Sequence, residues 1–214
     1  MSNLNYMPAS GWNKNWSLNS SKVFTGLINI TTGYYRKIIK KMFIQNNVQG
    51  KTILELGCGT SGNTFWLMRE FGYCKATVVD FSKKALDKVI SAKENLDIKL
   101  VNKNILNLKL KDKYDLVHSG FVIEHFYGRN RFKVIKKHAE FVGRNGYVFM
   151  EVPRKTILSL LYSKTINKIN GIDELLYSKK EILELIEKAD LEVVDMKILF
   201  AGSIYFILLK KVGE

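Results

Sequence analysis

Glycines at positions 57, 59 and 62 lie in Ile53-Leu54-Glu55-Leu56-Gly57-Cys58-Gly59-Thr60-Ser61-Gly62-Asn63, between a short apolar run and an amphipathic stretch. Side-chain-free residues at this spacing permit a tight turn off a strand and let a ligand approach the backbone closely. They also aim the first N–H groups of a helix at negative charge. A second apolar run ends at Asp80. A carboxylate at that place can accept hydrogen bonds from two neighbouring hydroxyls, as ribose presents them. Together the turn and Asp80 predict a site for a nucleoside-containing ligand. Nicotinamide, flavin and other nucleoside cofactors are bound by the same physics, so the loop alone does not name one.

Further along, Ser119 closes an apolar run and Glu124-His125 opens the next element. His125 titrates near neutral pH and is a possible general base with Glu124 beside it; the alternative is a histidine satisfied by backbone. His118 and His138 read as ordinary strand and helix residues. Cys58 and Cys74 are the only cysteines. Both fall in stretches that read as interior, which argues against a disulfide framework and a zinc site.

These residues need elements to position them, and the hydrophobic pattern supplies an alternating series. Strands are expected at Lys51–Leu56, Ala76–Asp80, Ile98–Asn102, Tyr114–Gly120 and Gly146–Val152. Helices are expected at Asn63–Phe71, Lys83–Asn95 and Arg129–Val142. Strands alternating with such helices imply βαβ units and a parallel sheet covered on both faces. Ser178–Ala189 reads as a helix capped by Ser178 with Glu181 three residues on. Leu191–Leu199 and Ile204–Lys210 follow with a link too short for a crossover helix, so they pair as a hairpin. The expected fold is therefore α/β: a Rossmann-like, seven-stranded, mostly parallel sheet with one antiparallel terminal strand.

Upstream, Tyr34, Tyr35, Ile38, Ile39, Met42 and Phe43 recur at helical spacing between Arg36, Lys37, Lys40 and Lys41. Residues 1–25 show no sustained period. Residues 1–45 are thus expected to form an arm and amphipathic helix serving as a lid, with the main domain at 46–214. The chain holds 34 Lys and Arg against 20 Asp and Glu, a formal charge of +14, with no acid in its first fifty residues. Such a field favours an anionic partner, RNA or an acidic membrane surface; the plainer reading is that lysine is the habitual surface residue here. No apolar run approaches the length of a membrane span and no signal-peptide pattern is present, so a cytoplasmic location is expected.

The segment Glu55-Leu56-Gly57-Cys58-Gly59-Thr60 resembles the first motif of class I S-adenosylmethionine-dependent methyltransferases. Further segments are similar to that family in the same order: Val78-Val79-Asp80-Phe81-Ser82, Asn104-Ile105-Leu106, Tyr114 to Gly120 running on to Ile123-Glu124-His125-Phe126, and Gly146 to Pro153. The stretch from Tyr177 to Asp195 resembles the family's last helix and sixth strand. The resemblance covers roughly residues 48–212 and implies S-adenosyl-L-methionine as cofactor.

By this resemblance Gly57, Cys58 and Gly59 let the backbone pass close to the cofactor's methionine and sugar. Glu55 would hold its ammonium, or else be satisfied by backbone amides. Asp80 would take the ribose hydroxyls, and Phe81 and Ile105 would sandwich the adenine. Asn104 stands where the family commonly has Asp; its amide carbonyl can still accept from the adenine amino group. Ser119 would line the cavity near the transferring methyl, or be a plain strand-end serine. In the quinone-precursor O-methyltransferases, a subgroup the chain resembles, a pair like Glu124-His125 belongs to a metal-binding motif. Here Phe121 replaces one acidic ligand of it, and no metal is expected.

Residues 154–176 lie outside the shared motifs and carry Ile157, Leu158, Leu160, Leu161, Tyr162, Ile166 and Ile169 among lysines. The segment resembles the insertion that closes over the acceptor in many small-molecule methyltransferases; a basic amphipathic helix also reads as membrane-surface binding. A small-molecule acceptor is expected. An RNA or protein methyltransferase using the basic arm, and a non-catalytic cofactor-binding module, are the competing classes.

Overall fold

The computed structural model describes residues 12, 22–157, 159–161, 174–199 and 202–213, with side chains in the first helix from residue 32. In chain order the elements are α1 (Lys22–Gln45), β1 (Thr52–Leu56), α2 (Gly62–Phe71), β2 (Lys75–Asp80), α3 (Lys83–Ala92) and β3 (Ile98–Asn102). Then come β4 (Tyr114–Gly120), α4 (Arg129–Phe141), β5 (Val142–Pro153), α5 (Lys179–Glu187), β6 (Leu191–Leu199) and β7 (Ile204–Lys211). Single helical turns at Ile105–Asn107 and Ile123–His125 follow β3 and β4.

The strands form one seven-stranded sheet in the order β3-β2-β1-β4-β5-β7-β6. All neighbours are parallel except β7, which runs antiparallel to both β5 and β6. The expected hairpin is present, turning through Gly202 at a φ of 82°. Strand order reverses between β1 and β4, so the crevice beyond their carboxyl ends is where a fold of this topology places its ligand.

Alternate residues of each strand feed opposite faces. Leu54, Leu56, Val117, Val148 and Ile207 meet Val134 and Ile135 of α4 and Ile182 and Ile186 of α5. On the other face Ile53, Leu116, Phe149, Phe206 and Leu208 meet α1, α2 and α3. Phe149 centres this second layer, edge-on to Phe43 at 5.4 Å and to Phe206 at 5.6 Å between ring centroids. The C-terminal half of α1 is therefore core: Ile39, Met42 and Phe43 are buried. That half of the expected 1–45 lid is a layer of the sandwich, and the helix begins at Lys22, well before the Tyr34–Phe43 pattern.

Local chemistry sets the element ends. Ser82 caps α3 by accepting from the Ala85 amide. Ser178 and Glu181 form the reciprocal capping box expected from their spacing. β1 and β4 are stapled at their starts by Asp115, whose Oδ2 accepts from the amides of Lys51 and Thr52 and from the Thr52 hydroxyl. β5 begins at Val142, four residues before the expected Gly146, with a register shift opposite β4. Cys58 is buried as expected, but Cys74 is exposed at the short link into β2, its thiol directed to the Gly72 carbonyl. Among the described residues no helix is long and apolar enough to cross a membrane.

Candidate active site

The glycine turn is held from beneath by β2. The amides of Gly57 and Cys58 both donate to the Val79 carbonyl, at 2.8 and 3.0 Å. Gly57 sits at a φ of 71°. A Cβ there would lie 2.6 Å from a methyl of Val122, so both the conformation and the neighbour demand glycine. One residue on, the Gly59 amide donates to Asp80 Oδ2 at 3.0 Å while the Ser82 amide donates to Oδ1 at 2.8 Å. The turn and the carboxylate thus converge. Each carboxylate oxygen keeps a further lone pair for a ligand hydroxyl. Burial pushes the Asp80 carboxyl up from its ordinary value, with the amides of Ser82 and Gly59 pulling against it.

Around this pair the expected adenine residues are close in sequence but unequal in access. Phe81 is half-buried, leaving part of its ring available as a platform. Ile105 is packed into the core, which leaves little of it for an adenine to cover. The Asn104 side-chain oxygen already accepts from the Leu106 amide at 2.9 Å, capping the turn after β3, and retains one lone pair. Ser119 is buried and bonded to His138 Nε2 at 2.9 Å. His138 Nδ1 lies 2.9 Å from the Val134 carbonyl. That carbonyl can only accept, so Nδ1 holds the ring proton and the Ser119 hydroxyl donates to Nε2. Burial holds His138 down at about 4, so it is neutral at physiological pH. The Ser119 hydroxyl is therefore engaged behind the sheet.

Glu55 lies under the turn with its Oε2 accepting from Thr64 at 2.8 Å, and Thr64 in turn contacts His118 Nε2 at 2.8 Å. Burial, opposed by the Thr64 hydroxyl, pushes the Glu55 carboxyl up to about 8. His118, fully buried, is pushed down to about 3 and stays neutral. Sequence reasoning took His118 for an ordinary strand residue. Its position beside Glu55 comes from the β1–β4 register, in which the two are partners.

The sequence also left Glu151 without a role. It is buried near the end of β5, where Asn63 Nδ2 donates to its Oε1 at 3.0 Å and its Oε2 overlies Gly120. Burial raises it to about 7. The available signal was a lone acid inside an otherwise apolar strand buried on both faces. Arg36 of α1 was missed as well: its Nη2 donates to the Gly62 carbonyl at 3.0 Å and its guanidinium lies 5.5 Å from the Trp66 ring centroid.

Glu124 and His125 stand together on the turn after β4. Glu124 is 1% exposed, and neither carboxyl oxygen has a hydrogen-bond partner. Burial, with Glu174 and Glu151 nearby, holds its pKa well above the ordinary range. His125 is half-buried and meets the Trp12 ring edge-on at 4.7 Å. The end of the expected insertion and the residue after it close from the other side: the Leu175 amide donates to the Glu124 carbonyl and the Tyr177 hydroxyl to the Ile123 carbonyl, each at 3.0 Å. Of the rest of the insertion, residues 154–157 and 159–161 are described, with Ser159 bonded to Thr156 and to the Arg154 carbonyl. The expected contributions of Leu158, Tyr162, Ile166 and Ile169 lie outside the described residues.

Fold and site together define an α/β protein whose glycine turn and Asp80 converge next to the β1/β4 switch point. A family model described as a methyltransferase domain matches residues 53–146. No curated protein matches the chain. Among solved structures it is similar to an S-adenosylmethionine-dependent methyltransferase from Clostridium acetobutylicum: 14% identity, 90% of this chain and 100% of that one, TM-score 0.68. It is similar also to magnesium protoporphyrin IX methyltransferase from Synechocystis with S-adenosylhomocysteine bound: 13% identity, 94% and 92% coverage, TM-score 0.69. A third likeness is to the putative methyltransferase in complex with the Haloferax volcanii Trm112 activator: 14% identity, 76% and 83% coverage, TM-score 0.67. Over residues 53–146 the chain is thus similar to a methyltransferase domain, and its fold as a whole is that of these S-adenosylmethionine-dependent methyltransferase structures.

Proposed function

We propose that this protein transfers the methyl group of S-adenosyl-L-methionine to a small molecule enclosed beside residues 121–125. The observation that carries this reading is the double closure over that turn. Trp12 packs on His125 from the N-terminal side, while Leu175 and Tyr177 bond to the backbone of Glu124 and Ile123 from the other. A turn covered from both flanks suits a compact acceptor better than a polymer. Three of the basic side chains of α1 fit the same view. Lys40 pairs with Glu70, Arg36 turns inward to the glycine turn, and Lys41 lies in the solvent.

The residues present fit the cofactor. Asp80 would hold the ribose hydroxyls and Phe81 would lie on the adenine. Glu55 would hold the ammonium, and Arg36 is the cation available to its carboxylate. The bound sulfonium supplies an activated methyl, so the protein's task is orientation and exclusion of water. His125 and Glu124 are the groups placed to move an acceptor proton. On the same reading the protein acts in the cytoplasm, with Trp12 and Leu175 covering the acceptor side of the turn.

The test is methyl transfer from radiolabelled cofactor into a size-fractionated cell extract. Label in molecules below about 1 kDa supports the reading. Label retained only in RNA or protein would overturn it in favour of the basic arm as a polymer-binding surface.

A further inference from the structure

Among the described residues, the buried carboxyls are Glu55, Asp80, Glu124 and Glu151. All lie at the carboxyl-terminal side of the sheet, on β1, β2, β5 and the turn after β4. In a chain that is otherwise strongly basic, this gathers acids at one end of the sheet, where burial raises the pKa of all four. Two of the four are accounted for by the cofactor: Asp80 by ribose and Glu55 by the ammonium. Glu124 and Glu151 remain.

Glu124 is the unusual one. A buried carboxyl with no hydrogen-bond partner is costly unless something absent from the protein satisfies it. Both of its oxygens are buried and unpartnered. The charged groups acting on it are Glu174 and Glu151, both acids, and no Lys or Arg is among them. Glu151 stands at the same end of the sheet on β5, with Asn63 on one oxygen and the other over Gly120 at the end of β4. Glu174, partly buried, stands at the rim next to Leu175. Three elements thus bring acids together, with Arg131 as a cation beside Tyr177, its guanidinium 5.9 Å from that ring centroid. Among the described residues no group of three or more metal-ligating side chains could hold a metal ion. Phe121, exposed and in the left-handed region at a φ of 53°, ties the turn after β4 to β5 through its amide, which donates to the Glu151 carbonyl at 3.1 Å.

We propose that Glu124 and Glu151, with Glu174 at the rim, form a seat for the ammonium group of an amine-bearing methyl acceptor. This rests on the reading of the chain as an S-adenosylmethionine-dependent enzyme with a small-molecule acceptor. An ammonium donates up to three hydrogen bonds, so it can supply the donors that the two Glu124 oxygens lack.

The test uses the full chain saturated with S-adenosylhomocysteine and titrated with 2-phenylethylamine, 2-phenylethanol and phenylacetate, followed by calorimetry or ligand-observed NMR. The expected result is that the amine binds at least about tenfold tighter than the alcohol, with the acid weakest. Glu124→Gln should reduce the amine's advantage to threefold or less while leaving the S-adenosylhomocysteine Kd within twofold. Glu174→Gln, at the rim and tolerant of substitution, should reduce the advantage partially and serves where the first variant folds poorly. Equal binding of amine and alcohol, or binding of neither, overturns the proposal. So does tight binding of magnesium chloride that is lost in Glu124→Gln, which would make the acids a metal seat. If S-adenosylhomocysteine itself fails to bind, the cofactor reading has failed and the proposal falls with it.

Discussion

Cofactor binding should release a proton from Glu55, and the affinity should carry that signature. The free protein holds this carboxyl at about 8 because it is buried, a shift that the Thr64 hydroxyl donating to it opposes. A ligand ammonium is satisfied by the ionised form. At pH 6 only about 1% of Glu55 is then competent, against about 25% at pH 7.5, and apparent affinity scales with that fraction. Allowing for the ligand's own amine beginning to titrate near pH 8, S-adenosylhomocysteine should bind roughly twentyfold tighter at pH 7.5 than at pH 6.

Calorimetry at pH 7 in two buffers of different ionisation enthalpy should show release of close to one proton, about 0.9. Glu151, at about 7, titrates in the same window, whereas His118, at about 3, does not. Glu55→Gln is therefore the control: it should bind more weakly at pH 7.5 and lose most of the pH slope. The stability of the free protein follows the same linkage. Between the ordinary carboxylate value of 4.5 and about 8, the folded chain keeps a proton that the unfolded chain has lost. Stability is therefore full below that window and falls as pH rises through it, by up to about 1.4 kcal/mol per pH unit. A wild-type Kd that moves less than threefold between pH 6 and 7.5 would refute the role given to Glu55.

Gly57→Ala should destabilise the protein by about 2–4 kcal/mol, since it adds a Cβ at a positive φ directly against Val122. A second substitution, Val122→Ala, should recover part of the lost Tm and part of the cofactor affinity, and no recovery would rule out the steric account. Thr64→Val removes the hydroxyl between Glu55 and His118 at nearly constant volume. Urea titration should show a loss of about 1–3 kcal/mol, smaller at pH 5 than at pH 8. Phe149→Ala opens the centre of the aromatic layer that joins α1 to the sheet. Its expected cost is about 3–5 kcal/mol by denaturant midpoint, with the Kd for S-adenosylhomocysteine little changed in the protein that remains folded.

The fold was legible because each strand of the parallel half announces itself locally, as an apolar run ended by Gly57, Asp80 or Gly120. The nucleoside half of the site was legible for the same reason: the turn and Asp80 are separated by one βαβ unit. What could not be read were pairings between residues distant in sequence. Glu55 and His118 meet only because β1 and β4 are neighbours in a particular register. Glu151 acquires its partner from Asn63, a residue on the far side of the reversal in strand order. Ser119 illustrates the converse. The resemblance implied either a cavity-lining hydroxyl or a plain strand-end serine, and how that hydroxyl is satisfied depends on His138, nineteen residues later on a helix.

The antiparallel strand has a bearing on how the molecule is made. β6 is synthesised before β7, yet it joins the sheet only through β7, which occupies the slot beside β5. As the chain leaves the ribosome, β6 therefore emerges with no backbone partner and waits until the residues after Gly202 have followed it out. Until then β5 is an open flank with its ladder unfilled, a natural place for a chaperone to attend or a neighbouring nascent chain to intrude.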